Sequence, residues 1–93
     1  MRVRFTVPAA RSLERVLDHI AEHWPQGAKH VQARIQSMVA LLAQYPYAGQ
    51  PTGRRGARRI AASPYPYLIF YRAMDDEIII DAIRHAARRP VAP

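Results

Sequence analysis

The hydrophobic positions of the chain change period twice, from two to about 3.6 and back to two. Residues 2–7 alternate between apolar and polar, which is typical of a half-buried strand. From Pro8 to Trp24 the apolar residues recur at helical spacing, and Pro25 and Gly27 are expected to end this first amphipathic helix. A second apolar stripe predicts a second helix, which Pro46 is expected to end. The short connection predicts an antiparallel helix hairpin.

The second half of the chain alternates between turn residues and short apolar runs. Residues 46–56, rich in glycine and proline, predict an irregular loop. Three strands are predicted, over residues 57–63, 67–73 and 78–84. The predicted fold class is α+β in the order β-α-α-β-β-β, with the helix hairpin packed on one face of a small, mostly antiparallel sheet. Residues 1–93 are expected to form one domain, with a tail from about residue 86 that is mobile or bound to a partner.

The polar turn after Ala73 predicts a strand register. The predicted pairs are Ala73 with Ile78, Arg72 with Ile79, Phe70 with Asp81, and Leu68 with Ile83. Arg72 and Asp81 then become diagonal neighbours, which favours a structural ion pair over a functional arginine. The register also gives a second apolar face, formed by Leu68, Phe70, Ile79 and Ile83. Because two helices cover only one face, the second either binds a partner or is covered by the loop, the tail or another copy.

Composition limits the compartment and the cofactors. The chain has no cysteine, which excludes disulfides and thiolate metal sites and is compatible with the cytoplasm. The longest apolar run, residues 38–43, is far shorter than the ~20 residues of a membrane span, and no signal peptide is visible. His19 and His23 are spaced as a metal-binding pair would be, but no third ligand is evident. We therefore predict no metal, cofactor or membrane partner.

The formal net charge of +7 is unevenly distributed. Residues 46–73 and 84–93 carry arginines and no acidic residue, whereas an acidic hairpin tip lies between the two segments. This distribution favours an acidic partner, whether nucleic acid, an acidic protein segment or an anionic surface. The basic surface is predicted to include Arg54, Arg55, Arg58, Arg59 and Arg88.

Three segments resemble one protein family. Ala-Arg-Arg-Ile at 57–60, Tyr-Leu-Ile-Phe-Tyr-Arg at 67–72 and His-Ala-Ala-Arg at 85–88 resemble the RelE/ParE superfamily, and the similarity extends over almost the whole chain. The resemblance implies a toxin of a type II toxin–antitoxin system, neutralised by an antitoxin whose C-terminal segment wraps around it. It also implies one of two activities. ParE-like members inhibit DNA gyrase, whereas RelE-like members are endoribonucleases that cleave mRNA on the ribosome.

The resemblance favours the ParE-like branch. Ribonuclease members use lysines, or a glutamate with an arginine and a histidine, but residues 46–62 contain neither lysine nor carboxylate. The ending from His85 to Arg88 resembles the ParE type. We therefore expect a toxin that binds gyrase and is not an enzyme. Its predicted target-binding or antitoxin-binding residues are Arg54, Arg55, Arg58, Arg59, Leu68, Phe70 and Arg88.

Two alternatives stay open. A RelE-like ribonuclease would use cations to stabilise the phosphorane and a histidine for proton transfer. Its residues would be Arg58, Arg59, Arg72 and His85. The other alternative is a partner-binding domain without toxicity. DNA contact is expected only indirectly, through the antitoxin, because no recognition-helix pattern is present.

Overall fold

The computed structural model of the protein describes residues 1–87. Its elements are β1 (Arg2–Phe5), α1 (Val7–His23), α2 (Pro25–Gln44), β2 (Gln50–Pro51), β3 (Ala57–Ala61), β4 (Tyr67–Ala73) and β5 (Glu77–His85). The sheet has the order β1-β5-β4-β3-β2, in which β1 runs parallel to β5 and the other pairs are antiparallel. The predicted α+β fold is confirmed, with one added strand, β2, inside the loop predicted to be irregular. Of the tail predicted from about residue 86, residues 88–93, including Arg88, lie outside the described residues.

The two helices are joined more tightly than the sequence suggested. Thr6 caps α1, since its Oγ1 accepts a hydrogen bond from the Ala9 N–H at 3.1 Å. Pro25 begins α2 instead of ending α1, because proline lacks the N–H that a first helical turn leaves unpaired. Gly27 lies inside α2, at a position where a Cβ would overlap the Trp24 ring. The prediction that Pro25 and Gly27 end the first helix is therefore wrong in detail, although Pro46 does follow the end of α2.

The helix hairpin covers one face of the sheet and forms the core with it. The largest fully buried side chains are Tyr71, Ile35, Leu42, Ile69, Ile78, Ile80 and Val31. Ser12 ties α1 to the sheet, because its buried hydroxyl donates to the Ala9 carbonyl at 2.9 Å and accepts from the Ile83 N–H at 3.0 Å. Strand β1 pairs only with the first half of β5, and the Ser12 hydroxyl binds a backbone N–H of the second half, which β1 leaves unpaired.

A β-bulge changes the predicted register between β4 and β5. Ala73 pairs with Ile78 and Arg72 with Ile79, as predicted. An irregularity between Phe70 and Tyr71 then skips Asp81, so the predicted pairs of Phe70 with Asp81 and of Leu68 with Ile83 are wrong. Phe70 instead opposes Ala82, and Leu68 opposes Arg84. One extra residue turns every later side chain to the other face, which moves Ile83 into the core.

Candidate functional site

The uncovered face of the sheet, which we call the open face, carries two half-buried apolar side chains among arginines. Strand pairing places Arg59 opposite Phe70 and Arg84 opposite Leu68. Arg59 and Arg84 are exposed, whereas Leu68 and Phe70 are partly buried. Ile79, also predicted on this face, is only 4% exposed and pairs with Arg4 on one side and Arg72 on the other. The exposed apolar surface is therefore smaller than predicted and centres on Leu68 and Phe70.

Arg72 makes a two-pronged ion pair on the same face. Its Nε donates to Asp81 Oδ2 at 2.8 Å and its Nη2 to Asp81 Oδ1 at 2.9 Å. The hydrogen bond to Asp81 is the main cause that raises the pKa of Arg72. Because both side chains are partly exposed, the pair contributes about 1 kcal/mol or less to stability. The predicted ion pair is present. It engages the Nε and Nη2 donors of Arg72, which could otherwise bind a phosphate in the same two-pronged way.

Arg58 lies on the opposite, helix-covered face and fastens the loop after α2. Its Nη1 donates to the Gly49 carbonyl at 2.8 Å and to the Tyr47 carbonyl at 3.4 Å, and its guanidinium lies 4.9 Å from the centre of the Tyr47 ring. The Tyr71 hydroxyl donates to the Pro46 carbonyl at 2.8 Å and accepts from the Gly49 N–H at 2.9 Å. These contacts hold the exposed ring of Tyr47 in place.

The buried position of Tyr71 predicts that its hydroxyl ionises at a higher pH than that of an exposed tyrosine. Burial raises the pKa of Tyr71 above its usual 10.0, against the smaller lowering effects of Gly49 and Arg58. The Tyr71 hydroxyl therefore ionises at a lower pH in the unfolded chain than in the folded one. The contribution of neutral Tyr71 to the free energy of unfolding is fully present below pH 10 and is lost as the pH rises above it. We expect an absorbance titration of the phenols to show a late phase that Tyr71→Phe lacks. If the variant keeps that phase, another tyrosine is responsible.

His85 borders a groove between α1 and the ends of β4 and β5. Its ring packs edge-on against Tyr67 with the ring centres 5.4 Å apart, and its Nδ1 accepts from the Ala87 N–H at 3.1 Å. The groove has a volume of about 670 Å³ and is lined by acidic, basic and apolar residues, among them Asp18, Glu22 and Arg15 of α1. Sequence reasoning missed it, because the polar face of α1 reads simply as a solvated surface.

The four candidate ribonuclease residues do not converge. Arg59 and Arg72 share the open face, since they lie opposite Phe70 and Ala57, whereas Arg58 and His85 lie on the helix-covered face opposite Tyr71 and Tyr67. Tyr71 lies four residue steps after Tyr67 in β4, which places Arg58 and His85 about 13 Å apart along the strand direction alone.

The remaining predicted residues lie at the margin of the sheet. Arg54 and Arg55 are exposed in the turn between β2 and β3.

Within residues 1–87, no group of three or more His, Cys, Asp or Glu side chains is placed to hold a metal ion. Among the same residues, neither helix combines the length and apolar character that a bilayer crossing requires.

Comparison with known proteins identifies the family. Residues 3–90 match the family described as the ParE toxin of the type II toxin–antitoxin system parDE. The chain is 35% identical to the "Putative toxin Y4kP" of Sinorhizobium fredii, over 91% of this chain and 88% of that protein. It is 32% identical to "Toxin RelE2" of Caulobacter vibrioides, over 94% and 97% of the two chains.

Two solved structures share the fold. A chain of the chromosomal ParDE system from P. aeruginosa superimposes with a TM-score of 0.79 and 26% identity, covering 91% of this chain and 95% of that one. A chain of the E. coli DinJ–YafQ complex gives a TM-score of 0.65 at 12% identity, over 94% and 96% of the two chains, and so supports the fold alone. The chain belongs to the ParE toxin family of type II toxin–antitoxin systems.

Proposed function

We propose that this toxin acts by binding DNA gyrase in the cytoplasm rather than by cleaving RNA, and that a cognate antitoxin neutralises it. The separation of the four candidate ribonuclease residues carries this proposal. A general base and a general acid must both reach the reacting phosphate within hydrogen-bond distance. Arg58 and His85 lie on one face of the sheet and Arg59 and Arg72 on the other. A single phosphate bound to the rigid sheet cannot contact both faces.

The hydrogen bonds of these side chains support the same proposal. Arg58 is held by two loop carbonyls, and Arg72 is held by both oxygens of Asp81. His85 uses its Nδ1 to accept a backbone hydrogen bond. These groups therefore support the fold, which leaves Arg59 as the one member of the set whose side chain makes no hydrogen bond with residues 1–87.

The open face suits an antitoxin segment that is both acidic and apolar. Leu68 and Phe70 offer an apolar centre, and Arg59 and Arg84 offer cations at its rim. Interfaces of this kind take their affinity from the centre and their orientation from complementary charges at the rim. The similar P. aeruginosa chain comes from a ParDE toxin–antitoxin system, which supports an antitoxin partner for this chain as well.

Two assays on one preparation test the target. Purified toxin is added to gyrase-catalysed supercoiling and, separately, to translating ribosomes. We expect inhibition of supercoiling and intact mRNA. Cleavage of mRNA at the ribosomal A site with unaffected supercoiling would refute the gyrase proposal in favour of the RelE-like activity. Soluble toxin that affects neither assay and causes no growth arrest would identify a non-toxic binding domain.

The His85→Ala variant sharpens this comparison. If His85 only packs against Tyr67, the variant should inhibit supercoiling within about threefold of the wild type, since no proton transfer is lost. If His85 were the general acid or base of a ribonuclease, the variant would instead reduce mRNA cleavage on the ribosome by roughly 10²- to 10⁴-fold. A Tyr67→Phe variant, which keeps the ring that His85 contacts, serves as the control for packing.

A further inference from the structure

The two edges of the sheet differ in charge. At the β1 edge, Arg2 faces Asp76 at 3.4 Å and Arg4 faces Glu77 at 3.5 Å, so the arginines are balanced by carboxylates. At the other edge, the hairpin of β2 and β3 carries Arg54, Arg55 and Arg59. No acidic residue occurs between Glu22 and Asp75 in the sequence. The β2–β3 edge is therefore the electropositive side of the sheet.

Arg54 and Arg55, which we call the arginine tip, project from a fixed turn. The Thr52 hydroxyl donates to the Ala57 carbonyl at 3.1 Å and accepts from the Arg54 N–H at 3.3 Å, while Ala57 N–H donates to the Arg54 carbonyl at 3.0 Å. Positive φ angles at the two flanking glycines, Gly53 and Gly56, complete the turn. The side chains of the arginine tip are exposed and make no hydrogen bond or ion pair with residues 1–87.

The arginine tip differs in kind from the open face. Protein partners draw most of their binding energy from desolvated apolar anchors, which the open face provides with Leu68 and Phe70. Residues 52–57 read Thr-Gly-Arg-Arg-Gly-Ala and offer cations without a large apolar neighbour. Exposed guanidinium groups on a tight, hydrogen-bonded turn suit phosphate oxygens, which they bind in a planar, two-pronged geometry.

We propose that the arginine tip contacts the phosphate backbone of duplex DNA. The source of that DNA rests on the proposed function, since the duplex on which gyrase acts is the DNA that a gyrase-bound toxin would meet. Contact of this kind requires no recognition helix and carries no sequence preference. It differs from the prediction from the sequence that DNA is contacted only through the antitoxin.

Salt-dependent DNA binding by the purified full-length toxin tests the inference. A labelled duplex of about 20 base pairs is titrated with toxin by fluorescence anisotropy between about 50 and 200 mM salt. Loss of two phosphate contacts in Arg54→Ala/Arg55→Ala should reduce the slope of log K against log salt by about 1.8 and weaken binding by roughly 60-fold at about 100 mM salt. Arg54→Lys/Arg55→Lys, which keeps both charges, should retain the wild-type slope.

A charge-matched variant provides the control. Arg2→Ala/Arg4→Ala removes the same charge from the opposite edge and should leave DNA binding within about threefold of the wild type. An equal loss in both double variants, or no DNA binding by the wild type, would overturn the inference. So would poly-glutamate binding that depends on the arginine tip while DNA does not bind, because it would identify an acidic protein as the partner.

The inference and the proposed function can fail separately. Binding of the same toxin variants to gyrase without DNA is measured by pull-down. Toxin that binds DNA through Arg54 and Arg55 but does not bind gyrase would refute the gyrase proposal and leave the DNA contact standing. Toxin that binds gyrase equally well with and without the arginine tip, and binds no DNA, would refute the DNA contact alone.

Discussion

The Gly49→Ala variant is expected to lose about 3 kcal/mol of unfolding free energy, a large effect for one methyl group. A Cβ at this position would lie 2.6 Å from the Arg59 carbonyl oxygen and 2.6 Å from the Tyr71 hydroxyl. The first contact is with backbone, so it cannot be relieved by a rotamer change. The second displaces the hydroxyl that joins Gly49 to Pro46, which leaves buried polar groups without partners.

Chemical denaturation of Gly49→Ala and Gly53→Ala side by side measures this effect. A Cβ at Gly53 would meet nothing within 4 Å, so only its positive φ of 88° opposes alanine there. That strain costs about 1–2 kcal/mol. We expect the Gly49 variant to be the less stable of the two. Equal stabilities would show that the loop after α2 relaxes freely and that Tyr71 and Arg58 do not fix it.

The Phe70→Glu variant is expected to bind the antitoxin at least about 30-fold more weakly, with little change in thermal stability. Phe70 is half-buried on the open face, opposite Arg59, so its ring adds to the surface offered to a partner more than to the core. Truncating a central apolar anchor costs about 2 kcal/mol or more. A new carboxylate also repels an acidic partner.

Isothermal titration with the cognate antitoxin measures this change, and Met74→Glu is the matched control. Met74 is an exposed apolar side chain beyond the end of β4, outside the open face. Its replacement should change the affinity less than about threefold. If the Phe70 variant binds the antitoxin as tightly as the wild type while both variants remain folded, the antitoxin does not use the open face.

Much of the fold follows from period and turn residues alone. The bounds of β4, the end of α2 before Pro46 and the pairing next to the tight turn all follow from such patterns. The bulge at Asp81 does not. An alternating pattern predicts one register for the whole strand pair. The one-residue bulge near Phe70 cannot be recognised from the residue types around it. The sequence therefore assigned Ile83 to the wrong face.

The candidate site, like the fold, was predicted from the sequence only in part. The Arg72–Asp81 pair could be predicted because Arg72 keeps the predicted register next to the turn and Asp81 is itself the skipped residue, so the shift affects only the residues after it. Arg58 and Arg59, by contrast, were grouped as one basic surface. Neighbouring residues in a strand point to opposite faces of the sheet, so the two arginines cannot share one surface. Only the structure shows that Arg58 donates to two loop carbonyls and thereby stabilises the fold. Tyr47 was missed because a loop tyrosine has no period to reveal its position.

Binding to gyrase is the action that we propose for this ParE-family toxin. Its most direct test is equilibrium binding of the toxin, released from its antitoxin complex, to immobilised gyrase. The proposal predicts saturable binding that added antitoxin reverses. A toxin preparation that still binds antitoxin at full stoichiometry, and is therefore folded, but leaves gyrase unbound at every concentration would contradict it.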